Sequence, residues 1–198
     1  KETLEQIGEL LGITRERVRQ LEKSVIAKLK GLAETDLPNI NVVKDIFEQE
    51  IKDLGHVARI SELTAKLTDE AIKIDQARVS FLAQLVPTLA FVDESDHYHM
   101  SAGIAETHSE KAIRDQVGYV IEGIKKIGAP AKIEEIAGAL GHPDASRTKA
   151  LASVSKHLAT LNGRYGLAKW PMVNPKNIRD KIYVIRVNHW PLGKSIAS

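Results

Sequence analysis

The chain has 198 residues, 43% of them apolar, which is ordinary for a globular protein and admits one large domain or two to three small ones. It has no cysteine, which excludes disulfides and thiolate metal sites, and 5% aromatic residues, too few for a platform that stacks single-stranded bases. The net charge of +2 hides a segregation that bears on partners rather than fold: residues 1–30 carry 7 basic and 5 acidic groups, residues 31–110 carry 6 and 15, and residues 111–198 carry 15 and 6.

A cysteine-free chain suits a reducing cytoplasm, and no signal peptide or apolar run approaches the roughly 20 residues of a membrane span. The first residue is Lys1 rather than Met, so a fragment of a longer protein is expected. Leu4, Ile7, Leu10 and Leu11 recur at helical spacing. Thr3 suits the N-cap, and Gly12 the stop. Thr14 caps a second helix to about Leu32, with Val18, Leu21, Val25 and Leu29 as its apolar stripe. Two helices joined by a short glycine-containing turn make a helix-turn-helix.

At about 100° per residue, Glu16, Arg19, Gln20 and Lys23 lie opposite that stripe, with Arg15 and Arg17 on its flanks. Arginine suits guanine, glutamine adenine, glutamate cytosine, and lysine a phosphate. A solvated helix surface is the plain alternative, and the paired short helix and tight turn argue against it. Residues 14–22, Thr-Arg-Glu-Arg-Val-Arg-Gln-Leu-Glu, resemble the recognition helix of region 4 in the sigma-70 family. Residues 4–12, Leu-Glu-Gln-Ile-Gly-Glu-Leu-Leu-Gly, resemble the helix before it.

In that family the element reads the −35 promoter element in the major groove. The resemblance therefore implies DNA contacts by Arg15, Glu16, Arg17, Arg19 and Gln20, and RNA polymerase as a possible partner. This chain differs from the family in continuing well past the motif. Its sparse aromatics, 5% of residues, also weaken any claim to the promoter-melting region that the family builds with exposed aromatics.

Thr35-Asp-Leu-Pro38 is expected to break the second helix, and Asn39 or Asn41 to cap a third through Leu54, with Val43, Ile46, Phe47, Ile51 and Leu54 inward. After Gly55, Val57 to Ile60 is extended, and Ser61 caps a helix to about Leu67. Asp75 opens another, burying Val79, Leu82, Leu85 and Val86 before Pro87. Leu89 to Val92 and His97 to Met100 then pair about Asp93-Glu-Ser-Asp96. Helix, short strand, helix, helix, hairpin is the order of a winged helix.

Residues 55–67 align without gaps on residues 128–140, and Ala77, Ser80 and Leu85 fall on Ala150, Ser153 and Leu158, as expected of a duplicated unit. In the second copy Ser109 caps a helix through Ile127, and His142-Pro143 closes the next. Asp144 caps a third over Ala145 to Leu161, with Leu151, Val154, Leu158 and Leu161 inward, stopped by Asn162-Gly163. Arg164 to Val173 and Ile178 to Asn188, rich in β-branched residues, read as two strands about Asn174-Pro-Lys-Asn177. Both copies resemble winged-helix modules of bacterial regulators.

From Ala145 to Arg179 there is no acidic residue but seven basic ones, Arg147, Lys149, Lys156, Arg164, Lys169, Lys176 and Arg179. Lys149, Ser153, Lys156 and Thr160 lie opposite the apolar face of the expected helix, so helix and basic hairpin together make a phosphate-binding footprint. The first copy's corresponding helix carries only Arg78 as a base and follows Asp69 and Glu70, so protein contact or spacing is expected there. His97 and His99 share a strand face near Asp93, Glu94 and Asp96. Without a third fixed ligand they read as a solvated hairpin tip rather than a metal site.

The expected architecture is mainly α with small β-hairpin wings: a helix-turn-helix over residues 1–34, then tandem winged-helix domains, acidic over 39–105 and basic over 107–198. The expected function is sequence-specific binding of double-stranded DNA in bacterial transcription, as a sigma-like initiation factor or a regulator. Alternatives are a DNA-targeting module of a restriction or repair enzyme, and an adaptor whose acidic middle docks on polymerase. No catalytic constellation is present, so neither an enzyme nor a cofactor is expected.

Overall fold

The structure, a computed structural model, describes residues 3–106, 108–141 and 144–189, with side chains as far as residue 185. It is mainly α with small β wings. In chain order the elements are α1 (Leu4–Leu11), α2 (Arg15–Asp36), α3 (Ile40–Asp53), β1 (Val57–Arg59), α4 (Ile60–Leu67), α5 (Lys73–Leu85), β2 (Leu89–Val92), β3 (Ser101–Ile104), α6 (Glu110–Ile127), α7 (Ile133–Ala139), α8 (Ala145–Val154), β4 (Leu158–Leu161), β5 (Arg164–Leu167) and α9 (Ile178–His189). The order α3-β1-α4-α5-β2-β3 recurs as α6, a single bridge at Ala131, then α7-α8-β4-β5. Among the described residues no helix is long and apolar enough to cross a membrane.

Two apolar cores are stacked on a shared sheet. The first gathers Ala33 from α2 with Phe47, Ile51, Ile60, Leu63, Val79, Leu85 and Leu89. The second gathers Ile113, Val117, Val120 and Ile124 from α6 with Ile136, Leu151 and Val154. The antiparallel sheet, in the order β1-β3-β2, lies between them. Because side chains alternate across a strand, Ala58 faces the first core while its neighbour Val57, with Val92, faces the second. Gly103 leaves the space this contact needs: a Cβ there would lie 3.0 Å from Ile113 Cδ1.

Several boundaries depart from the expected ones. Neither Ser61 nor Asp75 is a cap. β1 runs straight into α4, whose start is tied by the Arg59 N–H donating to Glu62 Oε2 (3.3 Å). Asp75 sits inside the first turn of α5 and pairs with Arg78. The second strand of the first wing is Ser101–Ile104, not residues 97–100, and it lies at the centre of the sheet. Residues 97–99 instead run beside residues 154–156: Tyr98 bridges Ser155, His99 N–H donates to Val154 O (2.8 Å), and Lys156 N–H donates to His97 O (2.9 Å). One edge cannot pair both ways, and here the distant partner wins.

In the second unit α8 ends at Val154, seven residues before the expected end at Leu161. Leu158 and Leu161 belong to β4, which pairs with β5 around Asn162-Gly163. Both turn residues have positive φ, 52° and 73°, the geometry of a two-residue hairpin loop favoured by Asn-Gly. β5 stops at Leu167, where Trp170 N–H folds back onto the Leu167 carbonyl (2.8 Å). The run 178–188, expected as a strand, lies in α9. Of the last aligned pair, Leu85 is helical and Leu158 is in a strand, so the one-to-one register does not extend that far. The expected stop at His142-Pro143 lies outside the described residues.

His108 is fully buried before the N-cap Ser109 of α6. Burial, with the nearby charges of Arg147 and His56, lowers its pKa from 6.5 to about 4, against a hydrogen bond with Gln116 that favours the charged form. Between these values the unfolded chain takes up the proton first. Stability should therefore be fully present above about pH 6.5 and fall toward pH 4, by up to about 3 kcal/mol. Urea midpoints at several pH values check this, since His108→Gln should remove that arm of the curve.

Candidate nucleic-acid interface

The head is built by local hydrogen bonds. Thr3 Oγ1 accepts from the Gln6 N–H (3.2 Å), and Gln6 Oε1 accepts in return from the Thr3 N–H (2.8 Å), closing a capping box on α1. Gly12 ends α1 in the left-handed region at φ 67°, and Thr14 Oγ1 caps α2 by accepting from the Arg17 N–H (3.2 Å). Gly8 fixes how closely the helices approach: a Cβ there would lie 2.7 Å from the Ile13 carbonyl oxygen.

Apart from Gly8 and Val18, the head buries little. Leu21 and Val25, expected in its apolar stripe, are 42% and 53% exposed. The reason is the direction in which α2 meets the first core. Its buried side runs through Val18 and Ala33, with Leu29 packed against that core, and Leu21, Val25 and Leu32 fall on the flank. Lys30 is drawn to the same core and donates to the Leu89 carbonyl (2.9 Å), with burial lowering its pKa. α2 therefore runs on as one helix to Asp36, past residue 34.

Arg15, Glu16, Arg17, Arg19, Gln20 and Lys23 are all exposed on the first half of α2. Glu16 organises them. It accepts both Nε and Nη2 of Arg19 (2.8 and 2.7 Å) and a longer bond from Gln20 Nε2 (3.4 Å). Arg17 Nη1 donates to Gln20 Oε1 (3.3 Å), and Arg15 Nη1 pairs with Glu5 Oε1 of α1 (2.8 Å). The Arg19 bonds hold the Glu16 carboxyl at a pKa of about 2, so it stays ionised at neutral pH. A guanidinium held by both nitrogens has its plane fixed before any ligand arrives, as bidentate contact with a guanine edge requires.

Residues 1–31 match the family model described as Sigma-70, region 4. The head is a sigma-70 region 4 helix-turn-helix. No curated protein and no solved structure matches the chain. The match makes the head a DNA-binding element of the sigma-factor type, and it stops short of the wings and of the second core.

The basic end is dispersed. Lys149 lies on α8, but that helix is covered on the side of β1: a Cβ on Gly55 would lie 2.8 Å from Ser146 O and 3.0 Å from Ala150 Cβ. Ser153, expected on a free face, donates to Glu62 Oε2 across the same contact (3.3 Å). Lys149 stays exposed at the mouth of a cavity of about 560 Å³ between the two cores, also lined by Arg59, Glu62, His99 and Tyr165. Lys156 lies beyond the helix and is ion-paired with Glu94. Arg164 donates to the Pro130 carbonyl (3.1 Å), while Lys169, Lys176 and Arg179 are exposed, the last on α9 rather than on a wing strand.

The two histidines expected on one face part company. His97 Nδ1 lies 2.8 Å from His157 Nε2, whereas His99 lines the cavity, its pKa lowered by burial and by Arg59. Sequence reasoning missed His157, Arg59, and the role of Asp93 and Glu94 as ion-pair partners of Lys23 and Lys156. The acidic run at residues 93–96 was the available signal, but nothing local says which cations it meets.

Proposed function

We propose that the chain is a sequence-specific duplex-DNA-binding factor of bacterial transcription, a sigma-like initiation or regulatory factor acting in the cytoplasm by binding rather than catalysis. It reads the major groove with residues 15–23 of α2, and RNA polymerase is a partner through the region 4 head. The observation that carries this reading is the exposed, mutually bonded set Glu16, Arg17, Arg19 and Gln20 at the start of a capped recognition helix. Lys149, Arg164, Lys169, Lys176 and Arg179 add phosphate contacts without base choice. The two units after the head are winged-helix modules, and the acidic one spaces the basic surfaces or receives a protein.

Duplexes selected from a random pool by the full chain test this. Gln20→Ala should relax base preference at one position, costing about 1–3 kcal/mol against the selected site and nothing on random DNA. Equal loss on both would mean that Gln20 reads no base, and the absence of an enriched sequence would overturn the proposal.

A further inference from the structure

The two acidic residues at the tip of the first wing reach both basic surfaces. Asp93 is ion-paired with Lys23 on α2, and its neighbour Glu94 with Lys156 beyond α8. We propose that residues 93–99 are an acidic clasp that occupies the cations otherwise offered to DNA phosphates, and that duplex binding displaces it. This rests on the DNA-binding reading given above.

The tip is held firmly in place. Glu94 accepts from the Met100 N–H (2.7 Å), fixing its carboxylate. Tyr98 bridges Ser155, the Arg114 guanidinium stacks over the Tyr98 ring at 5.0 Å, and His97 contacts His157. Asp93 and Glu94 thus project from a segment anchored on the second core. Across from them, Arg19, Glu22, Lys23 and Ile26 of α2 line a groove of about 800 Å³ whose other wall includes Gln76, Phe81 and Phe91.

Both pairs are partly exposed, with side-chain accessibilities of 54% and 45% for Lys23 and Asp93 and 29% and 49% for Lys156 and Glu94. Exposed pairs are individually weak, which suits a contact that a polyanion must replace. α2 is continuous from the reading face into the first core, and the tip is anchored on the second, so opening requires only that the Asp93 and Glu94 side chains leave Lys23 and Lys156.

Asp93→Asn with Glu94→Gln in the full chain should tighten binding to the selected duplex about 3–10-fold. Asp69→Asn with Glu70→Gln removes the same charge from an exposed site of the same unit and should change affinity less than twofold. An equal gain in both variants, or no gain in the first, overturns the clasp. The chain has no cysteine, so Lys23→Cys with Asp93→Cys can be joined by a short bismaleimide. The linked protein should bind the duplex at least about tenfold more weakly than the same variant unlinked; equal binding would overturn the proposal. If the wild-type chain shows no binding that depends on Arg15 and Gln20, the DNA-binding reading fails and the clasp with it. If that binding is present and both clasp experiments are flat, only the clasp fails.

Discussion

Gly55→Val is expected to destabilise the protein by about 2–4 kcal/mol, through strain and overpacking together. Gly55 has φ +106° and is followed by His56 at φ +68°, so the backbone turns here through conformations that β-branched residues avoid. The added atoms would meet the backbone of α8, where the Ser146 carbonyl cannot swing aside as a flexible side chain would. The damage should fall on the contact between the cores, so urea unfolding should show an early loss of that contact as well as a lower midpoint. Gly55→Ala, which adds the Cβ alone and is not β-branched, should cost less. A change below about 0.5 kcal/mol for the valine variant would mean that α8 does not rest on this turn.

Gly8→Val should weaken binding to the selected duplex by at least tenfold while leaving global stability nearly unchanged. A Cβ at Gly8 meets the Ile13 carbonyl at 2.7 Å, inside the turn that sets α1 against α2. Relieving such a clash costs about 1–3 kcal/mol, and α1 contributes to neither core. The strain is therefore relieved by displacing α1, not by unfolding the protein. Gly31→Ala on the same long helix is the contrast. It meets nothing within 4 Å and should stabilise α2 by roughly 0.5–1 kcal/mol without touching the reading face. Anisotropy titrations paired with thermal melts separate the two effects. A Gly8→Val protein that binds normally would show that the approach of α1 does not position the reading face.

The amino-acid order alone determined the parts of this protein that depend on neighbours within four residues. Thr3, Gly12 and Thr14 set the limits of the head helices, and Ser109 and Gly128 those of α6, because caps and left-handed stops act through adjacent backbone groups. The reading face at residues 15–23 was legible for the same reason: helical periodicity assigns each side chain a direction.

Where two local patterns were both satisfied, the order misled. Leu151, Val154, Leu158 and Leu161 have helical spacing, yet Asn162-Gly163 is a hairpin loop, and pairing with β5 takes the last four residues of that run. The β-branched run after Ile178 has strand propensity, which depends on finding a partner edge, and it forms α9 instead.

Tertiary structure decided the rest. It turned Leu21 and Val25 outward, placed Val57 and Val92 in the other unit's core, and brought Asp93 to Lys23 and Glu94 to Lys156. Each of these is a meeting of segments dozens of residues apart. Hydrophobic periodicity states that a face must be buried, and charge that a group seeks an opposite. Which distant surface supplies either is fixed only by how the two cores pack on their shared sheet.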